Sequence, residues 1–367
     1  MLIFWIFLAA VILYYLQRWI YVGLWSRGLK LRLRFEPSAL NEGEPVAVVE
    51  RSENRKWLPL PMLGYRYTLC RNYAPVTGAS SINAQVFSRK LALPGRRAAT
   101  NRTVLESLPR GFYTVADATV SAMDLFYTVK REKAVPCSAR LTVYPAKIPA
   151  ERLSLPFRQL LGAVLTRRMA QEDPFQLKGI RPYQIYDSLR TVNWKASAKT
   201  GELKVNQFEY STDEAVSFFL DMGSGSEADR EELLRLASSL SQLFLKRGIS
   251  VSVQTNGRSC ITGSAVSVGG GSGYGHQTAI DESLAQLKLT ATVTAELEDF
   301  LRDCAAAVTA RALPVVLSAD PTDRALTAFG KIVGEGNGYF ISVCGRGEAR
   351  KRGVTVLSWN PEQEEST

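Results

Sequence analysis

Residues 2–16 read Leu-Ile-Phe-Trp-Ile-Phe-Leu-Ala-Ala-Val-Ile-Leu-Tyr-Tyr-Leu, without a single charge. Such a run has few structural options. In lipid no water is present to satisfy backbone N–H and C=O groups, so a lone segment there must be a helix. These residues alone are short of a span, for which roughly 20 residues are needed at ~1.5 Å each. Gln17-Arg18 interrupts the run and Trp19-Ile-Tyr-Val-Gly-Leu-Trp25 resumes it. Together they suffice for one crossing, with Arg18 snorkelling and Tyr14, Tyr15, Trp19, Tyr21 and Trp25 at the interface. A cleaved signal would carry a basic segment before the apolar run and a small-residue site after it. This sequence has neither. The expectation is a retained single-pass anchor over residues 1–26, in the cell membrane. Arg18, Arg27, Lys30, Arg32 and Arg34 all follow the run, which by the positive-inside rule leaves the body of the protein in the cytoplasm.

The remaining chain is long enough for two domains, and 46% apolar with 22% charged residues is a globular balance. A net charge of +10 suits an anionic membrane surface as well as nucleic acid. No Lys/Arg block is interleaved with aromatics, so no nucleic-acid partner is expected. Five cysteines, Cys70, Cys137, Cys260, Cys304 and Cys344, lie far apart with no CxxC pair, which fits reduced thiols rather than zinc or a disulfide framework. The single histidine, His276, argues against Ser-His-Asp and Cys-His catalysis and against multi-histidine metal sites.

Residues 29–146 alternate with period two between turns, as in Leu29-Lys-Leu-Arg-Leu-Arg-Phe35 and Arg140-Leu-Thr-Val-Tyr144, and predict a small Ig-like β-sandwich. Residues 147–212 form a connector. Residues 213–360 alternate strand and helix patterns and predict a doubly wound α/β domain. Ala215-Val-Ser-Phe-Phe-Leu-Asp221 is its first buried strand, 227–247 its first amphipathic helix, and 256–275 a Gly/Ser-rich loop. Further helices are expected over 278–289, 295–311 and 322–333, and strands over 249–254, 313–318 and 339–343. The polar tail 361–367 is expected to fray. The fold class is therefore α/β plus all-β behind a membrane helix.

Two stretches carry candidate sites. Asp221-Met-Gly-Ser-Gly-Ser226 follows the first α/β strand, where ligands of open sheets gather. A von Willebrand factor A-type metal site reads Asp-x-Ser-x-Ser there, its hydroxyls completing an oxygen shell for Mg²⁺. Here Gly223 and Gly225 hold those places and the serines fall at Ser224 and Ser226, so Asp221, Ser224 and Ser226 make a degenerate motif. Mg²⁺ is a candidate ligand, Asp320 and Asp323 could complete the shell, and no other cofactor is expected. Gly269-Gly-Gly-Ser-Gly-Tyr-Gly275 lacks the spacing and lysine of a phosphate loop and is read as a flexible loop.

The second stretch is Gly179-Ile-Arg-Pro-Tyr183 through Asp187-Ser-Leu-Arg-Thr-Val-Asn-Trp194-Lys-Ala-Ser-Ala198 to Leu203-Lys-Val-Asn-Gln-Phe-Glu209. Arg181, Tyr183, Asp187, Arg190, Trp194 and Lys195 either build an internal ion-pair network or present a binding surface. In the first reading Arg181 and Arg190 pair with Asp187 and Glu209 under Trp194 and clip the sandwich to the α/β domain.

This spacing, with Arg-Gly-x-Tyr at residues 110–113 and Val-Tyr-Pro at 143–145, resembles the signature of domain-of-unknown-function family 58. The resemblance covers most of the chain and implies a von Willebrand factor A-like domain from Ala215 onward. Departures are Tyr186 where members often have glycine, one membrane helix where many have two, and Met123-Asp-Leu-Phe-Tyr127 where Asp-Pro-Phe-Gly-Leu is common. The resemblance implies no catalytic activity. It implies a membrane-bound adaptor or assembly factor working with a MoxR-type AAA+ ATPase on an unknown client protein. The alternative from the residues is a divalent-metal-dependent ligand-binding or hydrolytic protein using the Asp221 loop.

Overall fold

The computed structural model describes residues 2–71, 84–170, 172–184, 189, 192–210, 215–289, 293–304, 312–334, 337–343, 349–351 and 353–360. The fold is mixed α/β with several sheets behind an N-terminal apolar helix, and the chain divides into two compact units. The first comprises Met1–Ala146 with Ser259–Gly263 and Leu284–Lys288; the second takes the rest.

The first unit begins with α1 (Leu2–Leu24). Among the described residues, Ile3–Leu24 is the one helical stretch long and apolar enough to cross a membrane. It touches protein from about its middle onward, most closely at its C-terminal end. Tyr21 and Trp25 are buried, whereas Ile3, Phe4, Trp5, Ile6 and Phe7 are at least 60% exposed. Strands follow: β1 (Leu29–Glu36), β2 (Ala39–Asn41), β3 (Val46–Asn54), β4 (Leu60–Arg71), β5 (Ala84–Leu93), β6 (Arg97–Leu105), β7 (Gly111–Met123), β8 (Lys130–Ala134) and β9 (Arg140–Tyr144). They form a sheet of order β1-β3-β6 and another of order β2-β9-β7-β4-β5, with β8 on β7.

Alternation along each strand turns one set of side chains inward. Leu33, Phe35, Val46 and Val48 of one sheet and Leu63, Tyr65, Leu69, Val120 and Leu141 of the other meet in one core. Glu50 is an exception, a carboxylate only 2% exposed. It accepts hydrogen bonds from Tyr65 Oη at 2.5 Å and Tyr67 Oη at 2.7 Å, and Arg89 Nε lies 3.3 Å away. The two sheets are thus tied by a paired charge as well as by apolar contact. Burial, and then the Glu50 carboxylate, push both phenols well above the usual tyrosine range. Arg110, also fully buried, donates to the carbonyls of Leu284 at 2.7 Å and of Ala285 and Leu287 at 3.2 Å. The Tyr113 hydroxyl donates to the Pro109 carbonyl at 2.8 Å.

The second unit starts with α2 (Ala150–Ser154), α3 (Arg158–Ala170) and β10 (Glu172–Pro182), then α4 (Trp194–Thr200) and β11 (Lys204–Tyr210). Its main sheet uses β12 (Ala215–Leu220), β13 (Ser250–Arg258), β14 (Ala265–Gly271), β15 (Ala312–Ser318), β16 (Gly338–Ser342), β17 (Ala349–Lys351) and β18 (Val354–Ser358). The order is β14-β13-β12-β15-β16-β18-β17, parallel except for the antiparallel edges β14 and β17. Helices α5 (Glu227–Lys246), α6 (Tyr274–Ala285), α7 (Leu297–Cys304) and α8 (Asp323–Val333) complete it.

Successive strand residues face opposite sides, and β12 shows both. Phe218 meets Phe244 of α5, ring centroids 6.1 Å apart, while Phe219 meets Phe300 of α7 at 6.3 Å. A strand buried on both faces needs helices on both sides, which explains why all of β12 but Ser217 is apolar. Below the sheet, Lys147 Nζ lies 2.6 Å from Asp281 Oδ1, and Ser238 Oγ donates to the same oxygen at 2.5 Å. Burial pulls the Lys147 amine below the usual lysine range despite that carboxylate.

Several local expectations are corrected. Residues 256–275 are not a loop: β13 runs to Arg258, β14 occupies Ala265–Gly271, and α6 begins at Tyr274. The glycines of β14 are carried by pairing with β13, as Val251↔Gly271 and Val253↔Val268. The helix expected over 278–289 therefore starts and ends four residues early, and His276 sits in its first turn with Nε2 2.7 Å from the Val251 carbonyl oxygen. Cys70, Cys137, Cys260 and Cys304 are free thiols. Cys344, residues 305–311 of the expected helix and the tail 361–367 lie outside the described residues.

Candidate functional site

The Asp221 cleft is set by the strand order. β12 hands the chain to β13 on one side, and β15 lies on the other, so a crevice opens beyond their carboxyl ends. Ligands of open α/β sheets bind at such a reversal. Asp221 stands at its base, 3% exposed, with its N–H donating to the Leu317 carbonyl at 2.9 Å. Its side chain is held on every side. Oδ1 accepts from the Gly223 N–H at 2.9 Å and Asn256 Nδ2 at 3.0 Å; Oδ2 accepts from Ser224 Oγ at 2.7 Å and Ser318 Oγ at 2.8 Å. Asn256 Oδ1 in turn accepts from the Met222 N–H at 2.8 Å. Four donors thus meet the two oxygens of this buried side chain.

The turn after Asp221 depends on Gly225. It has a φ of 74°, and a Cβ there would lie 2.4 Å from the Ala319 Cβ, so only glycine fits. The cleft above encloses about 370 Å³, and its walls include Glu296, Glu298, Asp320 and Arg324.

Of the three residues singled out in the sequence here, the fold brings Asp221 and Ser224 together. Ser226 stands apart, as the N-cap of α5: its Oγ accepts from the Asp229 N–H while Asp229 accepts from the Ser226 N–H, a reciprocal capping box. Asp323 opens α8 just after its N-cap, Thr322. Ser318, like Asp221 and Asn256, falls at the strand ends where ligands of such sheets gather, and its bond to Asp221 is what the structure adds. Among the described residues no three Asp, Glu, His or Cys side chains group as a metal centre would require.

The second candidate is the β10–β11 hairpin with α4. β10 and β11 pair antiparallel, Arg181 opposite Val205 and Pro182 opposite Lys204. Asn193 caps α4: its Oδ1 accepts from the Ala196 N–H at 2.9 Å and its Nδ2 donates to Asn206 Oδ1 on β11 at 2.7 Å. Ser197 Oγ accepts from the Lys204 N–H at 2.8 Å, and Gly201 ends the helix in the left-handed region at φ 75°. Val192 and Val205 are buried beneath. Hydrogen bonds from Asn193 and Ser197 therefore seat α4 on the strand.

Asn193 and Ser197 lie inside the segment singled out in the sequence, without having been assigned a role. The signal was an Asn before a helix and a Gly after it. The clip reading placed Trp194 over a charged network whose members Asp187, Arg190 and Glu209 are not among the described side chains. Trp194 is 66% exposed at the first position of α4, since the cap turns Asn193 inward and the next residue outward. Lys195 is exposed beside it, Tyr183 is half-buried with its N–H on the Leu203 carbonyl at 2.9 Å, and Arg181 Nη1 donates to the Pro182 carbonyl at 3.3 Å. Asp187 and Arg190, and the side chain of Glu209, lie outside the described residues.

No known protein family matches the chain, and no curated protein does. Among solved structures, an alkylpurine DNA glycosylase of Pseudomonas fluorescens bound to DNA with an abasic site analog is similar at a TM-score of 0.22 and 17% identity, over 32% of this chain and 30% of that one. The CARDB domain of a Pyrococcus furiosus protein in complex with di-metal ions is similar at 0.22 and 10% identity, over 31% of this chain and 93% of that one. A sporulation control protein of Bacillus subtilis is similar at 0.20 and 10% identity, over 43% of this chain and 58% of that one. The chain thus spans less than a third of the glycosylase, and likeness at these TM-scores assigns neither fold family nor activity.

Proposed function

We propose that the chain is a non-enzymatic, membrane-anchored interaction protein of domain-of-unknown-function family 58. In this reading the first unit is an Ig-like sandwich and the second a von Willebrand factor A-like domain. The two are held in the cytoplasm by α1 and engage a MoxR-type AAA+ ATPase and its client. The observation that carries the proposal is on the signature segment. Ile180, Leu189, Trp194 and Leu203 are 46%, 62%, 66% and 45% exposed, so one short stretch presents four large apolar side chains to solvent beside Lys195. A tryptophan held outward on a capped helix is costly in water and suits the centre of a partner contact.

Co-purification from membranes with and without nucleotide tests this. Recovery of an AAA+ ATPase with wild type, lost in Trp194→Ala at unchanged melting temperature, is the expected result. Recovery of no such partner under either condition would sink it. The alternative, a metal-dependent ligand-binding or hydrolytic protein, draws on the acidic walls of the Asp221 cleft. It requires Mg²⁺ or Mn²⁺ to raise the melting temperature and Asp221→Ala to abolish the rise.

A further inference from the structure

We infer that the first unit is itself a membrane-docking module: the loop Leu125-Phe126-Tyr127 enters the bilayer interface beside α1, with Trp57 as a second contact. This rests on the reading of α1 as a membrane helix and extends it to the sheets that follow.

The argument starts from depth. One face of α1 is fastened to the sheets through Tyr14, Gln17 and Tyr21. The Tyr14 ring lies 5.8 Å from the Phe126 ring, Gln17 Nε2 donates to Asp124 Oδ2 at 3.2 Å, and the Tyr21 hydroxyl donates to the Pro59 carbonyl at 2.9 Å. Within the apolar stretch Ile3–Leu24, Tyr14 falls near the middle. With Leu24 at the membrane boundary it lies about 15 Å deep, and with Gln17 there it lies ~4 Å deep, at ~1.5 Å per residue. Every placement that keeps residues 2–16 in lipid therefore brings Phe126 to the headgroup level or below.

The loop is built for that position. Leu125, Phe126 and Tyr127 are 50%, 60% and 56% exposed, three consecutive apolar side chains on a tip whose base is fixed. Asp124 fixes it, 3% exposed, accepting from the Thr128 N–H and Oγ1 at 2.7 Å each and the Val129 N–H at 3.0 Å, besides Gln17. The carboxylate at this depth is thus supplied with donors and shielded. Trp57, 63% exposed, stands two residues before Pro59 on a neighbouring turn. That turn is held by the Arg96 N–H on the Lys56 carbonyl at 2.8 Å and by Gly95, where any Cβ would strike the Trp57 carbonyl oxygen at 2.0 Å. Exposed Arg27, Arg96 and Arg97 flank these turns. An exposed aromatic with arginines nearby suits an interface with anionic headgroups.

The test uses the full chain in phosphatidylcholine vesicles containing a minority of phosphatidylglycerol. F126W and, separately, L125W add a tryptophan whose emission is read as the difference from wild type. W5F reads the anchor in the same way. The expected result is that the emission added by F126W or L125W is largely lost to lipids brominated near the headgroup and spared by aqueous iodide. Emission quenched by iodide and untouched by brominated lipid, while Trp5 is quenched by that lipid, overturns the docking and leaves the anchor standing. Trp5 untouched as well overturns both. Near-UV circular dichroism selects the variant that keeps the native fold.

Discussion

The Asp221 cleft and the Trp194 hairpin are opposites in construction. At Asp221 the polar groups turn inward: two serine hydroxyls, an asparagine amide and a backbone N–H all point at one buried carboxylate. At Trp194 the polar groups of Asn193 and Ser197 are spent on seating a helix, and the largest side chain turns outward. In the run densest in charge and aromatic residues Trp194 is left exposed, and a plain Asp-Met-Gly-Ser became a closed cluster. Sequence density and built chemistry are therefore separate properties, and the contrast can be tested by substitution.

The largest effect is expected at the closed cluster. Asp221→Ala removes one carboxylate and strands four donors, and should cost about 3 kcal/mol in chemical denaturation. A loss under ~0.5 kcal/mol would mean that the cluster rearranges freely, and the contrast with the hairpin would fail. Next is Asn193→Ala, which deletes a cap and a bond to Asn206, with an expected loss of about 1–2 kcal/mol. Trp194→Ala should change stability by no more than about 0.5 kcal/mol, because little of the side chain is covered. A loss of several kcal/mol would instead favour the clip reading. Added Mg²⁺ should leave the melting temperature unchanged if the cluster is a structural clasp, whereas stabilisation on the order of 1–3 kcal/mol at saturating metal would reclassify it as a ligand site.

The smallest effect concerns Cys304, at the end of α7. Burial, then Asp303, raises its thiol from 9.0 to about 11. The folded chain therefore holds this proton longer than the unfolded chain does. Its contribution to stability is complete below pH 9 and is lost as pH rises from 9 to about 11. At pH 8 its thiolate fraction is on the order of 10⁻³, so alkylation should run at least ~30-fold slower than in urea, measured by mass spectrometry. Equal rates would show that α7 opens readily.

Much of the fold could be read from periodicity. Alternation along residues 29–35 marks β1, and the mostly apolar run at 215–220 marks β12. What escaped has physical causes. β14 is Ala-Val-Ser-Val-Gly-Gly-Gly, whose glycines read as loop and are strand only because β13 pairs with them. Asp221 and Ser318 could both be placed at strand ends, but their bond spans 97 residues and follows only from the parallel pairing of β12 with β15. Trp194 was open to either an internal network or a surface; it stands exposed at the first position of α4, next to the cap Asn193.

Arg110 has a consequence for the order of events at the ribosome. Its partner carbonyl on Leu284 lies 174 residues downstream. At about 5–20 residues per second, roughly 10–35 s separate the synthesis of the two. From the completion of β9 at Tyr144 onward the nascent first unit has β1 to β9, yet the carbonyls of Leu284, Ala285 and Leu287 that Arg110 will meet do not yet exist. The unit is topologically finished only when most of the second has been translated, so truncations between residues 146 and 284 should release chains that fold incompletely and are prone to degradation.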